Sequence, residues 1–104
     1  MSQAKFDKAV AIIGSLPKDG KIKPTTEDQL YFYKYFKQAK LGDNTTTRPG
    51  MLDFAGKAKW DAWTEVKGTS TEEAYQKYVD KLLEILKSVD DEESKKFIAE
   101  IEAA

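Results

Sequence analysis

Apolar residues in this chain recur three and four positions apart, and no segment shows a convincing strand alternation. Phe6, Ala9, Val10, Ile13 and Leu16 fall at offsets of 3, 4, 7 and 10, with Ile12 beside them. That spacing lines one side of a helix. A longer stripe runs through Ala74, Tyr75, Tyr78, Val79, Leu82, Leu83, Leu86 and Val89. A chain patterned this way is restricted to an all-α fold, because a strand face needs a period of two.

Breaks and caps divide the pattern. Ser2 is available to cap a first helix, and Pro17 disfavours helix at the residue before it. Residues 18–23 form a basic loop with Asp19-Gly20 as its turn signal. A second helix starts at Thr25 or Thr26; Thr25 with Asp28, or Thr26 with Gln29, resembles a capping box. Gly42 is its expected stop. Residues 43–52 lack apolar period and contain Pro49-Gly50, which is turn chemistry. Asp53 can cap a third helix carrying Trp60, Trp63 and Val66, with Gly68 ending it. Ser70 with Glu73 opens a fourth. Residues 90–93 are an acidic break. Phe97, Ile98 and Ile101 then make either a short fifth helix or a continuation of the fourth. The expected organisation is a helical domain over 1–89 followed by an acidic, helical extension over 90–104.

Link lengths narrow the topology. The second helix is about 22 Å long, and the link after it reaches roughly 35–40 Å when extended. That link can cross the length of a helix, so helices two and three are free to run parallel. The shorter links elsewhere favour antiparallel neighbours. An up-down-down-up bundle is one solution these lengths allow.

Composition removes several chemistries. There is no cysteine and no histidine, which excludes disulfides, thiolate metal sites and the commonest general base. No catalytic or metal-ligating set stands out, and no cofactor is implied. No apolar run approaches the roughly 18 residues of a membrane span, and the start lacks a signal peptide's apolar centre. A cytoplasmic, monomeric protein is expected. The net charge of −1 is uneven: residues 90–104 carry six acidic and two basic side chains, so 1–89 holds a balance of +3. That is too little for a general nucleic-acid binder, but it is compatible with a local basic site for one anion.

Residues 30–42, LYFYKYFKQAKLG, supply such a site. On a helix, Leu30, Tyr33 and Lys37 share a stripe, with Phe36 beside it and Lys34 one position beyond Tyr33. A core has use for the apolar part of that stripe and none for a lysine in line with a tyrosine. The combination suits a flat anionic ligand, whose ring stacks while the ammonium neutralises its charge.

The pieces YKYFKQAKLG, Gly42-Asp43, Arg48-Pro49-Gly50 and KAKWDAW (residues 57–63) occur in an order that resembles the acyl-CoA-binding protein family, over about residues 2–87. The resemblance implies a four-helix up-down-down-up bundle with a ligand bowl at one end. It implies that Tyr33 contacts adenine and the 3′-phosphate, that Lys37 and Lys59 pair with that phosphate, and that Tyr78 lines the nucleotide end. Ala9, Val10, Ile13 and Leu30 would border the groove for pantetheine and acyl chain, with Lys34, Phe36, Ala55 and Trp60 nearby. Some positions depart from the family pattern. Gly14 and Ala55 stand where basic residues are common, Phe36 replaces a tyrosine, and Gln29 replaces an apolar residue. The loop at 17–23 is longer by about four residues, and 88–104 is additional. Lys18, Lys21 or Lys23 are candidates to restore the missing charge.

The function this implies is reversible binding, buffering and intracellular transport of medium- and long-chain acyl-CoA, delivered to acyl-CoA-using enzymes or membranes, without catalysis. The competing reading is a peptide- or protein-interaction module using the aromatic face of helix two.

Overall fold

The computed structural model describes residues 3–104, so the cap expected at Ser2 lies outside the described residues. The chain forms α1 (Gln3–Ser15), α2 (Thr26–Leu41), α3 (Phe54–Glu65), α4 (Thr71–Val89) and α5 (Glu92–Ala103). Among the described residues there is no strand.

The caps resolve the choices left open by sequence. Thr25 is the N-cap of α2: its hydroxyl accepts from Asp28 N–H, and the Asp28 carboxylate accepts from Thr25 N–H, both at 3.0 Å. This is a full capping box. Asp53 and Ser70 cap α3 and α4 by accepting from Gly56 and Glu73 N–H. A Cβ at residue 56 would meet the capping carboxylate of Asp53, so a side chain there would push the cap aside. The fifth segment is a separate helix. Asp90 takes a left-handed conformation, φ 55° and ψ 38°, which ends α4, and Asp91 caps α5 by accepting from Ser94 N–H.

Contacts between helices give their directions. Asp28 meets Lys81 and Phe32 meets Tyr78, so α2 and α4 are antiparallel. Tyr33 meets Lys59, Lys34 meets Glu65 and Gln38 meets Thr69, so α2 and α3 run parallel. Phe6 stacks on Phe36 while Ile13 and Gln29 share a cleft wall, so α1 opposes α2. The result is up-down-down-up. Among the helices, α3 packs on α2 alone, while α5 packs on α1 and α4.

Phe6, Ala9, Ile12, Ile22, Phe32, Tyr78, Val79, Leu82, Leu86 and Ile101 form the core. Three details differ from the periodic reading. Ile12 is buried and Ile13 only partly so; Phe32, rather than Leu30 or Tyr33, is the fully buried apolar residue of α2; and Ile22, within the basic loop, is 2 % exposed. In each case packing in the assembled core, not the local period, decides which apolar residue is buried.

Ile101 of α5 belongs to this core. Lys5 fastens the same helix by donating from Nζ to the Ile101 and Glu102 carbonyls at 3.1 and 2.8 Å. The acidic extension therefore closes the bundle on its α1–α4 side. Ile101→Ala is expected to cost about 2–5 kcal/mol of unfolding free energy. An unchanged urea midpoint would contradict that packing.

A polar knot ties the far end of α2. The buried Gln38 amide donates to Asp43 Oδ1 at 2.8 Å and to the Thr69 carbonyl at 2.9 Å, and Gly68 N–H donates to the same Asp43 oxygen at 2.8 Å. Asp43 is held below the usual carboxylate range by Gly68 N–H first and by the Gln38 amide second. Asp28, Asp61 and Asp91 are lowered as well, chiefly by Thr25 N–H, by Arg48 and by Ser94. A depressed folded-state pKa contributes stability that is present above the ordinary carboxylate value and lost as pH falls through the folded one. The urea midpoint is therefore expected to fall as pH drops below about 4, and Asp43→Asn should flatten part of that slope. A midpoint independent of pH in this acid range would contradict it.

Candidate functional site

The parallel pair α2–α3 leaves a seam with a cleft on each side. Tyr33, Lys37, Lys59, Trp60 and Trp63 line one of them, with Thr46, Thr47 and Pro49 from the return loop and Gly56 from the first turn of α3, around a cavity of about 310 Å3. Two ammonium groups stand near one ring: Lys37 Nζ and Lys59 Nζ are each 5.6 Å from the Tyr33 ring centroid. Lys37 Nζ is also 5.7 Å from the Trp63 ring. Neither lysine is paired with a carboxylate among the described residues. Uncommitted cations beside an aromatic face suit a ligand that is both planar and anionic.

The wall is built by the link between α2 and α3, which turns back along α3. Gly42 caps α2 at φ 80°, and its carbonyl accepts from Trp63 Nε1 at 2.9 Å. The Asn44 amide donates to Thr64 Oγ1 at 3.1 Å, and Trp60 Nε1 donates to the Thr46 carbonyl at 3.0 Å. Arg48 pins the next stretch through a two-point bond to Asp61, at 3.0 and 2.9 Å. Trp60 and Trp63 thus use their N–H groups to hold the loop and their rings to line the cleft.

The other side of the seam gathers a different set. Leu30, Tyr31, Lys34, Glu65 and Lys81 line a cleft of about 460 Å3, with Asp28 and Asp61. Lys34 is already engaged: its Nζ lies 3.4 Å from Glu65 Oε1 and over the Tyr31 and Tyr35 rings. Lys81 is held by Asp28 and Glu84. A third cleft, about 480 Å3, lies between α1 and α2, where Ile13, Leu16, Pro17, Ile22, Pro24 and Gln29 make the walls with Lys18 and Lys23.

The structure therefore brings together Tyr33, Lys37, Lys59 and Trp60. Lys34 and Leu30 face the opposite cleft, and Ile13 lines the third. Ala9, Phe36 and Tyr78 pack in or against the core, and Val10 is partly buried against it. Burial pushes the Tyr78 phenol up to about 12. Ala55 is exposed on the first turn of α3, outside all three clefts. Of the loop lysines, Lys18 and Lys23 border the third cleft, whereas Lys21 lies in the field of Asp91. Thr46, Thr47, Pro49, Gly56 and Trp63 are lining residues that sequence reasoning did not assign to the site. The regular spacing of Trp60 and Trp63 was a signal for Trp63; an aperiodic loop offered none for the threonines.

The sequence model of a family described as "ACBP: Acyl CoA binding protein" matches residues 3–82. The chain is 41% identical over 90 residues to an "Acyl-CoA-binding protein homolog 3" of Caenorhabditis elegans, covering 86% of this chain and 78% of that one. It is 44% identical over 89 residues to an "Acyl-CoA-binding domain-containing protein 5" of Xenopus tropicalis. It spans only 19% of that relative and of its Xenopus laevis counterpart. Among solved structures it is similar to one titled "Crystal structure of ACBP from Moniliophthora perniciosa", with a TM-score of 0.98 and 74% identity over 100% of this chain and 98% of that one. It is also similar to Acyl-CoA-Binding Protein 2 of Oryza sativa, with a TM-score of 0.72 and 36% identity over 83% of this chain and 91% of that one.

Proposed function

Since the chain belongs to the acyl-CoA-binding protein family, we propose that it binds medium- and long-chain acyl-CoA esters reversibly, one per bundle, and carries and buffers them. The observation that carries this reading is the pair of ammonium groups, each 5.6 Å from the Tyr33 ring and neither bound to a carboxylate among the described residues. In this reading adenine stacks on Tyr33, and Lys37 and Lys59 take the 3′-phosphate. The thioester and tail then run toward the apolar cleft between α1 and α2, where Ile13, Leu16 and Ile22 supply the wall. A stacked base contributes roughly 1–3 kcal/mol. Each buried methylene adds about 0.8 kcal/mol, so two more acyl carbons raise affinity more than about tenfold. Free CoA lacks the tail term, and a free fatty acid lacks the head-group contacts.

The chain has no histidine and no cysteine, which supports a carrier over a thioesterase. Titration calorimetry with palmitoyl-CoA tests the binding, and release of free thiol over time tests turnover. Saturable binding with stoichiometric protection of the thioester is expected. No binding at micromolar protein, or steady thiol release, would overturn the reading.

A further inference from the structure

The loop between α1 and α2 builds most of a cleft. Pro17, Ile22 and Pro24 come from the loop and meet Ile13 of α1, and Leu16 just past its end, around a cavity of about 480 Å3. The loop is anchored. Ile22 is buried in the core, Gly20 N–H donates to the Pro17 carbonyl at 3.2 Å, and the Gln29 amide reaches the Pro24 carbonyl at 3.4 Å. An apolar wall held in this way gives a hydrocarbon tail a fixed surface.

The polar side chains of this cleft are Lys18, Lys23 and Gln29, and among the described residues no carboxylate lines it. Residues 17–24 carry three lysines and one aspartate, a balance of +2. That aspartate, Asp19, is exposed and outside the wall. Asp28 pairs with Lys81, Glu27 borders the cleft around Tyr31, and Asp91 lies in the field of Lys21. Neither Lys18 nor Lys23 is paired with a carboxylate among the described residues. The two also share no wall with Tyr33, Lys37 and Lys59. They stand apart from the cations assigned above to the nucleotide phosphate.

A lysine stem covers an apolar wall while its ammonium stays in water. A tail that ends in a methyl group uses those stems and leaves both charges idle. A tail that ends in a carboxylate uses the charges as well, because an ammonium–carboxylate hydrogen bond is charge-assisted. We propose that the cleft between α1 and α2 accepts acyl chains with a carboxylate at their far end, Ile13, Leu16 and Ile22 packing on the methylenes while Lys18 and Lys23 bind the ω-carboxylate. The inference rests on the reading that the acyl tail runs between α1 and α2. It adds a class of ligand, the CoA thioesters of long-chain dicarboxylic acids.

The test is titration calorimetry of the full chain with palmitoyl-CoA, with hexadecanedioyl-CoA, and with the ω-methyl ester of hexadecanedioyl-CoA. In a purely apolar channel the uncharged methyl ester binds at least as tightly as the carboxylate. Here the carboxylate is expected to bind more tightly by about tenfold or more, with the gap narrowing as salt is added. The gap should close in Lys18→Gln/Lys23→Gln and persist in Lys18→Arg/Lys23→Arg. The proposal is overturned if the methyl ester binds the wild type as well as the carboxylate does, or if the gap survives the glutamine substitutions. It is equally overturned if Lys37→Ala closes the gap, which would put the carboxylate in the head-group cleft. Palmitoyl-CoA binding without any gap removes this inference alone, whereas no binding of palmitoyl-CoA removes the carrier reading as well.

Discussion

Replacing Lys37 by alanine is expected to weaken palmitoyl-CoA binding by about ten- to a hundredfold while leaving the fold intact. A hydrogen bond to a charged group is worth about 1.5–3 kcal/mol, which converts to that range. Among the described residues Lys37 has no carboxylate partner to be stranded by the change, so its loss should appear in binding and not in stability. Lys59→Ala should behave similarly, because its ammonium stands at the same distance from Tyr33. The ligand supplies the control. Removing the 3′-phosphate from palmitoyl-CoA should weaken binding to the wild type much more than to either variant. By contrast, Lys34→Ala should change affinity little, since Lys34 is occupied by Glu65 on the other side of the seam. Equal losses for Lys34 and Lys37 would contradict the assignment of the cleft.

Phe6→Ala is expected to destabilise the protein by about 3–5 kcal/mol, a large share of the roughly 5–15 kcal/mol typical of a domain. Phe6 is 0 % exposed, and its ring centroid lies 6.1 Å from Phe36, 4.8 Å from Tyr75 and 5.0 Å from Tyr78. It therefore joins α1 to both α2 and α4, and neighbouring rings cannot collapse far enough to refill the space. Urea unfolding monitored by circular dichroism gives the measurement, with Leu41→Ala expected within about 0.5 kcal/mol of wild type. A Phe6→Ala loss under about 1 kcal/mol would show that the three-helix junction does not depend on this ring.

Four helices were legible in the sequence because long amphipathic stripes are local properties; link lengths allowed the up-down-down-up order without selecting it, and the fifth helix stayed open against a continuation of the fourth. The stripe through Tyr33 and Lys37 could be read in the same way, since i and i+4 share a face on any helix. What could not be read depends on residues far along the chain. Lys34 and Lys37 look alike in sequence; Glu65, thirty-one positions from Lys34, is what neutralises one and not the other. Ile22 is a lone apolar residue in a basic loop, with no period to announce its burial. Phe32 and Phe36 are both plausible inward residues of α2, and Tyr78 packing on Phe32 decides between them. The return loop reaches the cleft through hydrogen bonds to Trp60, Trp63 and Thr64, which no local pattern encodes.

Amide and side-chain chemical-shift mapping during titration with palmitoyl-CoA tests the head-group assignment most directly. Perturbations centred on Tyr33, Lys37, Lys59 and Trp60, extending to Ile13 and Ile22 only when an acyl chain is present, are the expected result. Perturbations centred on Tyr31, Lys34, Glu65 and Lys81, with Tyr33, Lys37 and Lys59 unmoved, would contradict it.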